Sequence, residues 1–191
     1  MYEDLKLPTR LRDLLNNFRE LVFVLRQHRR DIWKRIDPSA ELFFDRQEKS
    51  LPLGYPASVT IYDSVFLCGN VQLGENVFVG QFCQLDGSGD LIIGEGTTIA
   101  TGAKILTHDS IDKTLSGGRL PVVYAKVIIE DHCFIGANAI VTKGCHIHSH
   151  AIVGAGSIVK HDIPAYSIAA GMPAKVIGHI NPQTLERNYI K

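Results

Sequence analysis

Aliphatic side chains recur every sixth position through the middle of this chain. They fall at Ile61, Leu67, Leu73, Val79 and Leu85, then at Ile93, Ile99 and Ile105. After a gap the beat returns at Ile129, Ile135, Val141, Ile147, Val153 and Val159. One phase is kept, apart from a two-residue insertion near Gly87–Gly89 and a long excursion after His108. Neither a 3.6-residue helix nor a period-2 strand produces this spacing. A hexapeptide β-helix does, because each repeat forms one short side of a coil and turns one aliphatic residue inward. An ordinary β-sandwich would space its strands irregularly, at roughly 8–12 residues.

The position two before each aliphatic is small or medium: Val71, Val77, Cys83, Thr97, Ala103, Cys133, Ala139, Cys145, Ala151 and Ser157. These side chains are expected beside the inward corner, where space is short. Gly follows the aliphatic at Gly74, Gly80, Gly94, Gly136 and Gly154. The expected reason is a corner needing positive φ. Coils of this width at a strand spacing of ~4.8 Å make a thin prism. Thin prisms with flat faces favour a closed homo-oligomer.

Residues 1–50 do not follow the beat and read as an N-terminal helical extension. Thr9 to Ile36 is amphipathic, with Leu11, Leu14, Leu15, Phe18, Leu21, Val22 and Leu25 on one side. Pro8 and Thr9 start it, and Asp37-Pro38 stop it. Its polar side is rich in arginine, including Arg10, Arg12, Arg19, Arg26, Arg29 and Arg30. Such a helix covers the open end of a coil or packs on a neighbouring subunit. The other use is peripheral membrane contact, with Trp33 and the arginines against anionic lipid. Residues 51–165 are the β-helix, with an excursion loop at 109–126, and 166–191 form a C-terminal tail.

Charge and composition narrow the function. Twenty basic residues balance twenty acidic ones, which argues against a general nucleic-acid partner. The N-terminal stretch does not read as a secretory signal, so a cytoplasmic location is expected, with the inner face of the membrane as the place for any peripheral contact. Cys68, Cys83, Cys133 and Cys145 show no CxxC pairing, and three of them occupy the small-residue slot. They read as core-filling hydrophobes rather than a zinc or nucleophile site. His146, His148 and His150 alternate along one stretch. Their default reading is surface or subunit-contact histidines, with no metal expected.

Several motifs resemble the hexapeptide-repeat acyltransferases, the branch that holds maltose and galactoside O-acetyltransferases and surface-polysaccharide acetyltransferases. They are Phe134-Ile-Gly-Ala-Asn-Ala-Ile140, Gly154-Ala-Gly-Ser-Ile-Val-Lys160, Ala170-Gly-Met-Pro-Ala-Lys-Val-Ile177 and Lys104-Ile-Leu-Thr-His-Asp-Ser110. The resemblance covers roughly residues 57–178. It implies an all-β left-handed parallel β-helix, a homotrimer, and acetyl-CoA bound in clefts between subunits. Position by position it implies Ala100, Ala137 and Ala155 along the pantetheine arm, with Lys160 and Lys175 near the phosphates. Where the sugar acetyltransferases place Asn and Asp for the acceptor, this chain has Gly80 and Ser88, so a maltose or simple galactoside acceptor is not implied.

His108 stands where the beat stops, and long loops in compact repeat domains are usually functional. Acyl transfer from a thioester to a hydroxyl needs a base for the hydroxyl proton and an acid for the departing thiolate. Histidine serves as both. Asp109 either orients the ring or solvates the loop. Asp86, Arg119 and Tyr124 are candidates for the acceptor side. The expected activity is acetyl-CoA-dependent O-acetylation of a sugar, nucleotide-sugar or lipid-linked glycan, in surface-polysaccharide or glycolipid assembly. N-acylation of an amino-sugar nucleotide and a non-catalytic trimeric binding scaffold are the alternatives.

Overall fold

The computed structural model describes residues 7–34, 40–43, 46 and 48–190. Contacts divide the chain into Met1–Asp45 and Arg46–Lys191. In the first unit, one helix runs from Thr9 to Trp33. It begins after Pro8, as the sequence signals predict, and ends with Lys34 in the left-handed region, its N–H donating to the Arg30 carbonyl. Ile36, the Asp37-Pro38 stop and the side chain of Trp33 lie outside the described residues. Residues 46–50 belong with the second unit rather than the helix. The Arg46 carbonyl accepts from Ile61 N–H, and Lys49 Nζ donates to the carbonyls of Asp63 (2.6 Å) and Val65 (2.9 Å).

The second unit is a left-handed parallel β-helix. Its first face stacks Thr60–Ile61, Phe78–Val79, Thr98–Ile99, Phe134–Ile135, Ile152–Val153 and Ser167–Gly171 in parallel. The second face holds residues 66–67 and 84–85, then Lys104–Ile105, Ile140–Val141 and Ile158–Val159. The third holds residues 71–73 and 91–93, then Val127–Ile129 and His146–Ile147. The long strands Phe66–Leu73 and Gln84–Ile93 turn the corner between these two faces without a break.

The inward aliphatics of the beat form one continuous core, with Leu67 the one only partly buried. The small-residue slot is buried throughout, its three cysteines included. Burial pushes the thiols up, that of Cys133 to about 11, so they stay protonated and apolar.

The corner glycines have a different cause from the one expected. Gly74, Gly80, Gly94, Gly136 and Gly154 are absent from the positive-φ positions, which fall two residues later at Asn76, Phe82, Gly96, Asn138 and Gly156. They are glycines because coils touch there. A Cβ on Gly136 would lie 2.5 Å from Ala155 N, and one on Gly80 would lie 2.8 Å from Thr101 N.

The C-terminal segment is not a loose tail. Ser167–Gly171 closes the first face, Ala174–Ile180 pairs antiparallel with it, and Arg187–Tyr189 pairs antiparallel in turn.

Candidate active site

The two-residue insertion and the excursion meet at one corner. Leu85 points inward, and the next residue, Asp86, is fully buried where the strand Gln84–Ile93 rounds the corner. Glycine is forced here by close approach. A Cβ on Gly89 would lie 2.6 Å from the Thr107 carbonyl oxygen. One coil on, Ile105 is inward and ends the second-face strand, and Thr107 follows two residues later. The Thr107 carbonyl accepts from Ala125 N–H (2.9 Å), which fastens the return of the excursion to its departure. His108–Asp109 then pairs antiparallel with Val123–Tyr124. Between them lies a short helix, Ile111–Leu115.

Asp86 Oδ2 lies 2.6 Å from His108 Nδ1. The same oxygen accepts from Thr107 N–H (2.9 Å) and Thr107 Oγ (3.2 Å), and Oδ1 accepts from Ser88 N–H (2.9 Å). Burial by itself pushes this carboxyl upward. The hydrogen bonds from Ser88, Thr107 and His108 outweigh it and hold the group far below the ordinary carboxylate range. An ionised carboxylate only accepts. The Nδ1 hydrogen must therefore point at Asp86, which leaves Nε2 of the neutral ring with a lone pair. The His108 side chain is 41 % exposed, whereas that of Asp86 is fully buried. The arrangement is an imidazole base held in one tautomer by a buried carboxylate.

The sequence expectations sort accordingly. Asp86 does not face an acceptor; it is the carboxylate behind His108, the place considered for Asp109. Asp109 instead caps Ile111 N–H (3.1 Å) and pairs with Lys143 Nζ (3.1 Å), which together lower its carboxyl. Tyr124 stands beside His108, its ring centroid 5.7 Å from the imidazole. Arg119 bonds within the loop, to the Ser116 carbonyl (2.9 Å). Ala100, Ala137 and Ala155 lie along the corner between the first and second faces. His108 lies at the opposite edge of the second face, so one chain does not bring them together. Lys143 and Lys160 follow second-face strands and share the edge of His108. Lys175 is exposed on Ala174–Ile180. Lys143 escaped the sequence reading; the register that sets it one coil from Thr107 was the signal available.

Residues 126–160 match the family model for the hexapeptide repeat of succinyl-transferase. In solved structures, the chain resembles AntD, an N-acyltransferase from Bacillus cereus in complex with dTDP and coenzyme A. The likeness has 28 % identity and a TM-score of 0.55, over 62 % of this chain and 69 % of that one. The chain carries this hexapeptide repeat and is related to the acyltransferases built on it. A 2,3,4,5-tetrahydropyridine-2,6-dicarboxylate N-acetyltransferase from Enterococcus faecalis is 42 % identical over 76 residues, 40 % of this chain and 33 % of that protein. The chain thus spans about a third of the length of this curated relative. A hexapeptide-repeat-containing acetyltransferase from Vibrio cholerae shares the fold over 90 % of this chain and 93 % of its own, with a TM-score of 0.59 and 18 % identity. Set beside these acyltransferases, the His108–Asp86 corner is a feature of the described residues that can move a proton.

Proposed function

We propose that this chain transfers an acyl group from coenzyme A to the amine of a sugar nucleotide, with His108 as the base. The observation that carries His108 as the base is the 2.6 Å contact between its Nδ1 and the buried Asp86. His108 Nε2 takes the proton from the attacking nitrogen as the new bond to the acyl carbon forms. It returns that proton to the sulfur as the C–S bond breaks. Asp86 stabilises the imidazolium between the two steps. Coenzyme A supplies the acyl group as a thioester. The edge of small residues at Ala100, Ala137 and Ala155 suits an extended arm, and Lys160 and Lys175 suit phosphates. Because that edge and His108 are separated by the second face, a complete site calls for a second copy, consistent with the expected homotrimer.

Two relatives favour nitrogen as acceptor over the hydroxyl that the sequence put first. AntD is an N-acyltransferase, and the Enterococcus protein is an N-acetyltransferase. O-acetylation is the second reading, and the buried carboxylate favours it, because a hydroxyl needs the stronger base. A panel of nucleotide-linked amino sugars, their hydroxyl counterparts and oligosaccharides, assayed by acyl-CoA-dependent thiol release, separates the two. Turnover with amines and its loss in His108→Ala are the expected result. Turnover with hydroxyls alone selects the second reading. No thiol release with any acceptor, together with no calorimetric binding of CoA, overturns both.

No helix among the described residues is long and apolar enough to cross a membrane. Peripheral contact through Thr9–Trp33 is the remaining part of the proposal. Leu11, Leu14, Phe18 and Leu21 are exposed on it. Co-sedimentation with anionic vesicles, lost on removing residues 1–45, is the expected result; no sedimentation of the full chain overturns it.

A further inference from the structure

The third face carries a second cluster, remote in sequence from His108. Val127–Ile129 and His146–Ile147 are paired in parallel, with Ile129 level with Ile147. Both isoleucines point into the core, so His146 and His148 flank Ile147 on the outer side. Glu130 follows Ile129 on the neighbouring coil, its N–H bonded to the Ile147 carbonyl. Glu130 Oε1 lies 2.7 Å from His146 Nε2 and 3.1 Å from His148 Nδ1. The two rings stack with centroids 4.0 Å apart. Glu130 Oε2 is taken separately, by Ser149 N–H (2.9 Å) and Ser149 Oγ (2.7 Å). His150 is not part of this group. Its backbone is left-handed, and its ring stacks on Tyr166 with His132 tilted against it.

We propose that Glu130, His146 and His148 bind a divalent transition-metal ion of the zinc class. Their three donor atoms lie within 4.8 Å of one another. Zinc takes imidazole nitrogen and carboxylate oxygen at about 2.0–2.2 Å. Tetrahedral coordination then needs donors roughly 3.3 Å apart. The present 2.7 and 3.1 Å open to that with a small movement of each side chain. Ser149 holds the far oxygen of the carboxylate, as outer-shell donors do in metal sites. Each of the three side chains is about one-third exposed, so water completes the coordination. The ion takes the place of the two imidazole hydrogens that otherwise point at Oε1. It ties the coil that ends in Glu130 to the coil carrying His146 and His148, and so acts as a clamp on the prism. This reverses the expectation of no metal and does not depend on the acyl-transfer reading.

The test uses the full chain, free of any affinity tag and stripped by chelator. It is titrated with Zn2+ by calorimetry and with Co2+ by its visible absorption. One ion per chain is expected, with affinity at least tenfold weaker in His146→Ala and in His148→Ala. Ser149→Ala should weaken it by about tenfold. His132→Ala should leave it unchanged. Zn2+ should also raise the Tm of the parent and not of His146→Ala/His148→Ala. The side chains are at the surface, so chelator-treated variants should melt with the parent; if one does not fold, Glu130→Gln gives the same reading. Absence of binding, or binding undiminished in the double variant, overturns the proposal.

Discussion

Replacing Asp86 by Asn tests the candidate site most directly, because an isosteric change removes the charge and one acceptor. The amide has two orientations. With its nitrogen at the Oδ2 position, it meets the Thr107 N–H and donates to His108 Nδ1, forcing the ring hydrogen onto Nε2. With its nitrogen at the Oδ1 position, it meets the Ser88 N–H instead. Either way a buried donor faces a donor, which costs about 1–3 kcal/mol of stability. The loss in the reaction is larger in consequence. A hydrogen bond to a charged group contributes about 1.5–3 kcal/mol net. Direct attraction between carboxylate and imidazolium, roughly 4 kcal/mol at 4 Å near a protein surface, is reduced because His108 is partly open to water. Loss of about 2–3 kcal/mol lowers kcat by about 30- to 150-fold. Thiol release with the best acceptor measures this. Long-range 1H–15N correlation spectra read the tautomer independently of any acceptor. The parent should show hydrogen on His108 Nδ1. A kcat within threefold of the parent in folded Asp86→Asn, or hydrogen on Nε2 in the parent, refutes the reasoning.

The same carboxyl sets a pH dependence. Its folded value is depressed below the ordinary 3.8, so its contribution is complete above about pH 5 and fades as pH falls below 4. Urea midpoints should therefore drop more steeply in the parent than in Asp86→Asn between about pH 5 and pH 2.5; parallel curves would contradict the assignment. The cysteines give another check. Burial raises the thiols of Cys83, Cys133 and Cys145, so iodoacetamide at neutral pH should modify them only after unfolding. Stoichiometric modification of a native core thiol with loss of activity would point to an acyl-thiol route and against direct transfer through His108.

The six-residue beat determined the coil by itself, because one inward aliphatic per short side is a local requirement that each repeat states afresh. It also located the excursion, and with it His108, since a break in a regular pattern needs no partner to be seen. What stands behind His108 was a different matter. Asp86 is 22 residues earlier and reads as a turn residue before Gly87. Only stacking of successive coils turns it inward and beneath the imidazole. The same stacking separated His150 from His146 and His148 and brought Glu130 to them, although alternation along the chain suggested three equivalent histidines. It also made Gly136 a contact glycine rather than a turn glycine. A repeat records the direction of each side chain relative to its own face. Neighbours along the axis depend on how insertions shift one coil against the next, and that is decided when the coils close on one another.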